Sequence, residues 1–224
     1  FAVPAGYLAV DLFFGLSGFV LARAYEARLR AGLSPGRFAL LRLIRIYPMA
    51  FVGAAVALAL SGRHPQMLLL IPDLASGGAL YPTNVPLWSL AFELVVNMAF
   101  AFCAIRLGRA RLAAVLAGSA AILIVGALRN DGADLGSLWP GAGYGMARTV
   151  FSFAVGVAFH RIHVHCAIRR RETRAALMLP AALALVLMAL PPHTIAGDLT
   201  AIFVLLPAIL WLGTVWEAPR NRLF

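Results

Sequence analysis

Lysine is absent from this 224-residue chain, and its nine acidic residues stand against nineteen arginines. Charged residues make up only 12% of the chain, whereas 62% of it is apolar. Soluble domains carry about a quarter of charged residues, so this composition excludes an ordinary soluble protein. The net charge of +10 would suggest nucleic-acid binding in a soluble protein. Here no nucleic-acid partner is expected, because the arginines follow a membrane topology.

Several sequence signals of soluble enzymes are also missing. Two cysteines, Cys103 and Cys166, are too few for a disulfide framework. We find no Gly-rich phosphate loop, nucleophile elbow or zinc motif. The segment HRIHVHC (160–166) offers clustered histidines, but no carboxylate joins them at ligand spacing. We therefore interpret it as a solvated basic face and expect no metal site.

Long apolar stretches dominate the sequence, and helices of about 17–25 such residues can cross a bilayer. The candidates lie at residues 2–21, 39–61, 87–105, 112–128, 145–160, 175–191 and 199–215. Residues 67–81 are apolar too, but Pro72, Asp73 and glycines interrupt them, which predicts a re-entrant or interfacial segment. The expected fold is all-α: one polytopic domain over residues 1–224 with about seven spanning helices.

The arginines predict the orientation of this bundle. All but Arg63, Arg129 and Arg148 fall on one side of the expected helices, which the positive-inside rule makes cytoplasmic. The start of the chain would then lie outside and its end inside, in a multi-pass protein of the inner (plasma) membrane. The tryptophans fall near the expected interfaces, as an aromatic belt would place them: Trp88, Trp139, Trp211 and Trp216.

An acid interrupts the first apolar helix. Asp11 is followed by Gly15 and Gly18 at helical spacing, so one face carries a carboxylate and then two gaps. Two interpretations remain open. The face is either a packing surface whose acid pairs with a neighbouring helix, or a functional site, since ionisable groups in membranes are usually functional.

Two arginines begin the second helix. Arg42 and Arg45 in FALLRLIRIYP share one face at its cytoplasmic end. They are either snorkelling residues that enforce topology or a site for a phosphate-bearing ligand, since arginine binds phosphate bidentately.

A polar stripe marks the third helix. Ser89, Glu93 and Asn97 recur every four residues in NVPLWSLAFELVVN, which indicates either an interhelical hydrogen-bond ladder or a reactive carboxylate. Arg148 and Ser152 form a weaker pair of the same spacing on a later helix.

Three ordered motifs, AVDLFFGLSGFVLA, RLIRIYP and NVPLWSLAFE, resemble the integral-membrane acyltransferase family 3, which includes bacterial O-acetyltransferases of surface polysaccharides. The resemblance is dense over residues 7–97 and looser beyond. It implies transfer of an acyl group, usually acetyl, from acyl-CoA to a hydroxyl of a cell-surface carbohydrate, with acyl-CoA as co-substrate and no bound cofactor. The roles that we assign under it are catalytic for Asp11, Glu93 and Ser89, acyl-CoA-binding for Arg42 and Arg45, and substrate-binding for Asn84, Trp88 and Arg148.

Members of that family begin with a helix that carries an Arg and then a His base, and we expect this helix before Phe1. Asp11 is expected to face that helix, and Gly15 and Gly18 are expected to leave room for it. Residues 217–224 likewise look like the point before the family's last helices. The chain is therefore expected to be a fragment whose own activity is in question. Two alternatives are a catalytically dead remnant and a proton-coupled transporter or flippase-like bundle. A transporter would explain Asp11 and Glu93, but not the paired arginines.

Overall fold

The chain folds as a helical bundle, and its computed structural model describes residues 4–75, 77–169 and 171–217. The α-helices in these residues are α1 (Ala9–Arg30), α2 (Pro35–Ser61), α3 (Leu87–Cys103), α4 (Arg109–Arg129), α5 (Ala142–His165), α6 (Leu179–Ala189), α7 (Ile195–Thr200) and α8 (Leu206–Val215). A π-helical turn, Ala201–Leu205, joins α7 to α8. Strands β1 (Arg171–Glu172) and β2 (Trp216–Glu217) pair in parallel. The predicted all-α polytopic fold is confirmed.

Five helical segments of the described chain are long and apolar enough to cross a membrane. They are Gly6–Arg30, Pro35–Ser61, Arg109–Arg129, Trp139–His165 and Ile195–Val215. Two further apolar helices, Leu87–Cys103 and Arg174–Ala189, lie where spans were predicted but are shorter. At 1.5 Å per residue, the 17 residues of α3 extend about 25 Å, slightly less than the ~30 Å hydrocarbon core.

Local sequence signals set the ends of α2. The Ser34 hydroxyl accepts a hydrogen bond from the backbone N–H of Arg37, and Pro35 fits the first helical position. At the other end, Gly62 adopts a left-handed conformation with φ of 64° and stops the helix. The helix runs through Pro48, which has no N–H to donate to the carbonyl of Ile44.

Helices α1 and α5 form the centre of the bundle, with their backbones in contact. A Cβ atom added to Gly156 would lie 1.9 Å from the carbonyl oxygen of Gly15, and one on Gly18 would lie 2.0 Å from that of Phe153. Only glycine allows this approach, as in other closely packed membrane helices. We had expected Gly15 and Gly18 to leave room for a helix outside this sequence. That was wrong, because α5 occupies the space.

The segment between α2 and α3 is irregular, as predicted for residues 67–81. After a short 3₁₀ helix, Pro65–Leu69, it is held to the α4–α5 loop: the Trp139 indole N–H donates to the carbonyl of Asp73 at 2.6 Å. The buried Tyr81 hydroxyl donates to the carbonyl of Leu70 at 2.6 Å. Burial raises the pKa of Tyr81 to about 12, so the phenol stays protonated and keeps this bond.

The tryptophans do not all form a surface belt. Trp88 is buried against Phe14 and Phe92, and its ring lies over Gly136, where a Cβ atom would approach it to 2.6 Å. Trp88 is therefore not a lipid-facing belt residue, because its indole fills the core between α1 and α3, and its depth in the membrane stays a prediction. Among the arginines used to orient the chain, Arg170, Arg220 and Arg222 lie outside the described residues.

The contact between α1 and α5 predicts a sharp difference between two glycine-to-alanine changes. Gly156→Ala forces the two backbones apart and should destabilise the protein by about 1–3 kcal/mol or more. Gly118→Ala on α4 meets open space and should be neutral or slightly stabilising. Thermal unfolding of both variants in detergent measures this, and equal melting temperatures would refute the close contact.

Candidate active site

A buried ion pair joins α1 to α5. The Nε of Arg148 donates to both carboxylate oxygens of Asp11, at 3.0 and 2.9 Å, and its Nη2 donates to Oδ2 at 2.5 Å. The Ser152 hydroxyl adds a bond to Asp11 Oδ1 at 2.9 Å. Backbone carbonyls of Ala133 and Tyr7 accept the remaining guanidinium bonds at 2.6 and 2.9 Å. Arg148 has no exposed surface, and its paired geometry is that of a structural clamp.

A second buried acid extends this network towards the α4–α5 loop. Asp198 on α7 accepts hydrogen bonds from the Tyr7 hydroxyl and, at 2.6 Å, from the backbone N–H of Ala133. Tyr7 in turn accepts a bond from the backbone N–H of His193 at 2.8 Å and stacks on its ring. Polar bonds therefore tie four segments together at this end of the bundle.

The surroundings of Asp11 favour one of the two interpretations. Its carboxylate is 2% exposed and is taken up by Arg148 and Ser152. The expectation that Asp11 faces a helix before Phe1 is wrong, because its partners lie on α5. The geometry supports a packing role. The assignments of Asp11 as catalytic and Arg148 as substrate-binding stay predictions.

Ser17 of α1, Arg42 of α2 and Glu93 of α3 form a different polar cluster. Buried Asn97 lies one helical turn beyond Glu93 on α3, and we call these four residues the central cluster. The Ser17 hydroxyl donates to Glu93 Oε1 at 2.7 Å. Arg42 Nη2 lies 3.8 Å from the same oxygen, an ion pair too long for a direct hydrogen bond. Glu93 keeps a fifth of its side-chain surface exposed, whereas Arg42 is 6% exposed.

Polar atoms of the central cluster lack partners, unlike those of the Asp11–Arg148 pair. The Nε of Arg42 and both amide atoms of Asn97 are buried without a hydrogen-bond partner among the described residues. Leaving a buried polar group unpaired costs about 1–3 kcal/mol. Such groups are tolerated where a ligand or water completes the hydrogen bonds, which makes this cluster the candidate active site.

The two arginines of α2 differ in their surroundings. Arg42 is buried beside Glu93, so the snorkelling interpretation does not hold for it. Arg45 is exposed one turn further along the helix. The sequence predicted a shared face for them, but α3 covers only Arg42. Arg45 remains accessible to a ligand outside the bundle.

The remaining predicted residues lie at the start of α3. Ser89 donates to the carbonyl of Pro86 in its own first turn at 2.9 Å, so Glu93, which accepts from Ser17, is the member of the stripe that bonds to another helix. Asn84 precedes the helix, and its amide lies against α2, where a Cβ on Gly53 would approach its Nδ2 to 3.0 Å. Trp88 packs in the core as described. The structure thus separates these residues from Asp11 and brings only Glu93 to Arg42.

Five polar residues of these networks were not among the predicted site residues: Tyr7, Ser17, Asn97, Ser152 and Asp198. Ser17 and Asn97 each stood in a quoted motif, and Asn97 follows Glu93 at i+4. Ser17 lies six residues after Asp11 and therefore on another face of α1, so its spacing did not indicate a site. Tyr7 and Asp198 are 191 residues apart, so no local pattern indicated their contact. Within the described residues, no group of three His, Cys, Asp or Glu side chains is placed to hold a metal ion.

Comparison with known proteins identifies the family. The model of an acyltransferase domain, that of acyltransferase family 3, matches residues 1–224. The chain belongs to this acyltransferase family. A curated relative, protein 2 in the picA locus of Rhizobium radiobacter, is 36% identical over 152 residues, which cover 55% of this acyltransferase and 79% of the relative. No solved structure matches the chain.

The buried Asp11–Arg148 pair of this acyltransferase predicts that removing one partner costs more stability than removing both. Asp11→Leu leaves the Arg148 guanidinium charged and unpaired, and should destabilise the protein by about 3–5 kcal/mol. Adding Arg148→Met removes that charge and should recover part of the loss. Thermal unfolding of the two single variants and the double variant tests this. Strictly additive losses would show that Asp11 and Arg148 do not depend on each other.

Proposed function

We propose that this acyltransferase moves an acyl group, with acetyl the first to test, from acyl-CoA to a hydroxyl of a cell-surface carbohydrate. The observation that carries the proposal is the central cluster. A carboxylate and a guanidinium are paired inside the bundle there, and the Asn97 carboxamide lies one helical turn beyond the carboxylate on α3. The Nε of Arg42 and the amide of Asn97 have no hydrogen-bond partner among the described residues. Acyl transfer needs such a set: a base for the hydroxyl proton and donors for the oxyanion.

Glu93 suits the role of the base. Its carboxylate is held by the Ser17 hydroxyl and only loosely by Arg42, so it retains acceptor capacity. In the proposed step, the acceptor oxygen attacks the thioester carbonyl while its proton passes to Glu93. The C–O bond forms, the C–S bond breaks, and the proton is returned to the departing CoA thiolate. If a histidine base acts first, as the resemblance implies, Glu93 would be its carboxylate partner.

Arg42 and Asn97 suit the role of donors to the developing oxyanion. The unpartnered Nε–H of Arg42 and the amide N–H groups of Asn97 are already buried, so they need no desolvation during the reaction. Asn97 lies one helical turn beyond Glu93 on α3. A thioester carbonyl between them would satisfy groups that otherwise cost stability.

The arginines of α2 support an approach of the donor from the cytoplasm. Arg42 lies seven residues into the helix, or about 10 Å from its first residue, and Arg45 is exposed beside it. We assign the CoA phosphates to Arg45, because an exposed guanidinium can bind them bidentately. Arg42 would then receive the thioester end.

The carbohydrate acceptor would approach from the other side of the membrane, at the first turn of α3. Asn84 and Ser89 lie at that end and offer an amide and a hydroxyl, while Trp88 supports the helix from inside. The arginine bias supports this arrangement in a bacterial plasma membrane, with the first residues outside and the last inside.

Removal of the proposed base should abolish acyl transfer without unfolding the protein. Glu93→Gln keeps the shape of the side chain and an acceptor for Ser17, but cannot take up a proton. We expect a loss of at least about 100-fold in kcat. The readout is transfer of radiolabelled acetyl groups in membranes containing the protein, with the exposed Asp131→Asn as control. Full activity of Glu93→Gln would rule out Glu93 as the base.

Loss of the exposed arginine should act on donor binding rather than on chemistry. Arg45→Ala should raise the KM for acetyl-CoA about tenfold, the effect of losing one charge-assisted hydrogen-bonded contact, and leave kcat nearly unchanged. Arg63→Ala, an exposed arginine beyond the other end of α2, is the matched control. An unchanged KM for acetyl-CoA in Arg45→Ala would show that the phosphates bind elsewhere.

A further inference from the structure

A groove separate from the central cluster opens at the arginine-rich end of the bundle. It lies between α1, α4 and α5 and has a volume of about 690 Å³. Its walls are mainly apolar and include Leu112 and Leu116 of α4 with Ala158 and Ile162 of α5. Neither the acyl-transfer proposal nor the Asp11–Arg148 pair uses this space.

The rim of the groove is positively charged. It carries Arg30, Arg109 and Arg161 but, among the described lining residues, Glu26 as its one carboxylate. Glu26 is buried and accepts hydrogen bonds from Arg30 at 2.6 Å and Arg161 at 2.8 Å. Arg161 also donates to the carbonyl of Leu107 at 2.5 Å, which fixes the rim to the α3–α4 loop.

One arginine of the rim, Arg109, has N–H groups that remain available to donate hydrogen bonds. Arg109, the first residue of α4, is exposed, and its hydrogen-bond partner in the described chain is Nδ1 of His165 at 3.3 Å. Arg30 also keeps 55% of its side-chain surface exposed. The groove therefore pairs an apolar interior with guanidinium N–H groups that face outward.

The groove opens sideways, towards the bilayer. Ala113 on α4 and Ile162 and Val164 on α5 line it and are exposed, although both helices are spanning segments. The apolar residues of α4 lie three to seven residues beyond Arg109, about 5–10 Å deeper along the helix. A molecule entering from the membrane would thus meet cations at headgroup level and apolar walls below.

We propose that this groove binds one anionic phospholipid of the cytoplasmic leaflet. Its phosphate would accept hydrogen bonds from Arg109 and Arg30, and an acyl chain would lie along Leu112, Leu116 and Ile162. Anionic lipids concentrate in that leaflet, and basic pockets between helices bind their headgroups. The apolar walls and lateral opening fit a lipid better than a soluble nucleotide.

Lipid binding to the purified protein, measured by native mass spectrometry, tests the proposal. Phosphatidylglycerol should bind in preference to phosphatidylcholine, and Arg109→Gln should weaken that binding about tenfold, as expected for one lost charge-assisted contact. Arg111→Gln is the matched control, because it removes an exposed arginine two residues away that does not line the groove. Equal losses in both variants would indicate general surface attraction and overturn the proposal.

A second variant distinguishes a seated lipid from a phosphate held at the surface. Ala113→Phe fills the apolar part of the groove and leaves every rim arginine in place, so it should also reduce phosphatidylglycerol binding severalfold. Unchanged binding in Ala113→Phe would overturn the proposal. Acetyl-CoA should not displace the lipid, and competition between them would instead identify the groove as the donor site.

Discussion

The contact between α1 and α5 is the constraint on which the rest of the bundle depends. Gly15, Gly18 and Gly156 let two backbones touch, and in this close contact the Arg148 guanidinium reaches Asp11. The glycine contact and the Asp11–Arg148 ion pair depend on each other. If the two helices separated, both charges would be unpaired in an apolar core, at a cost of several kcal/mol per ion. The same arginine donates to the carbonyls of Tyr7 and Ala133, so the position of the α4–α5 loop follows from it.

The bundle uses polar groups in two physically different ways. Around Asp11 every strong donor and acceptor is matched, which is what a rigid support requires. In the central cluster the Arg42–Glu93 pair is long, and Asn97 has no partner among the described residues. Placing unmatched groups beside a rigid support is typical of sites where a substrate completes the hydrogen bonds. An acyltransferase needs both, since its donors must hold their geometry while the oxyanion forms.

Much of the architecture was predictable because hydropathy is a local property. Helix positions and the irregular stretch after α2 followed from apolar run length and from Pro and Gly placement. The spacing of Ser89, Glu93 and Asn97 along one helix indicated a polar position at Glu93, and the structure pairs Glu93 with Ser17 and Arg42 there. The partner of Asp11 did not, because Arg148 is 137 residues away and carried only a weak local signal. The burial of Trp88 was not predictable for a similar reason. Its ring packs over Gly136, which lies in the loop between α4 and α5, far away in the sequence.

The sequence by itself determined the membrane class, the helices, the arginine bias and the acyltransferase resemblance. Each of these depends on residue order or on spacings within about 25 residues. Only the tertiary structure decided which polar groups are matched. It assigned Asp11 to the clamp with α5, buried Arg42 beside Glu93 while leaving Arg45 exposed, and formed the arginine-rimmed groove from three helices. The physical reason is that pairing depends on distances between helices, which helical periodicity within one segment does not specify.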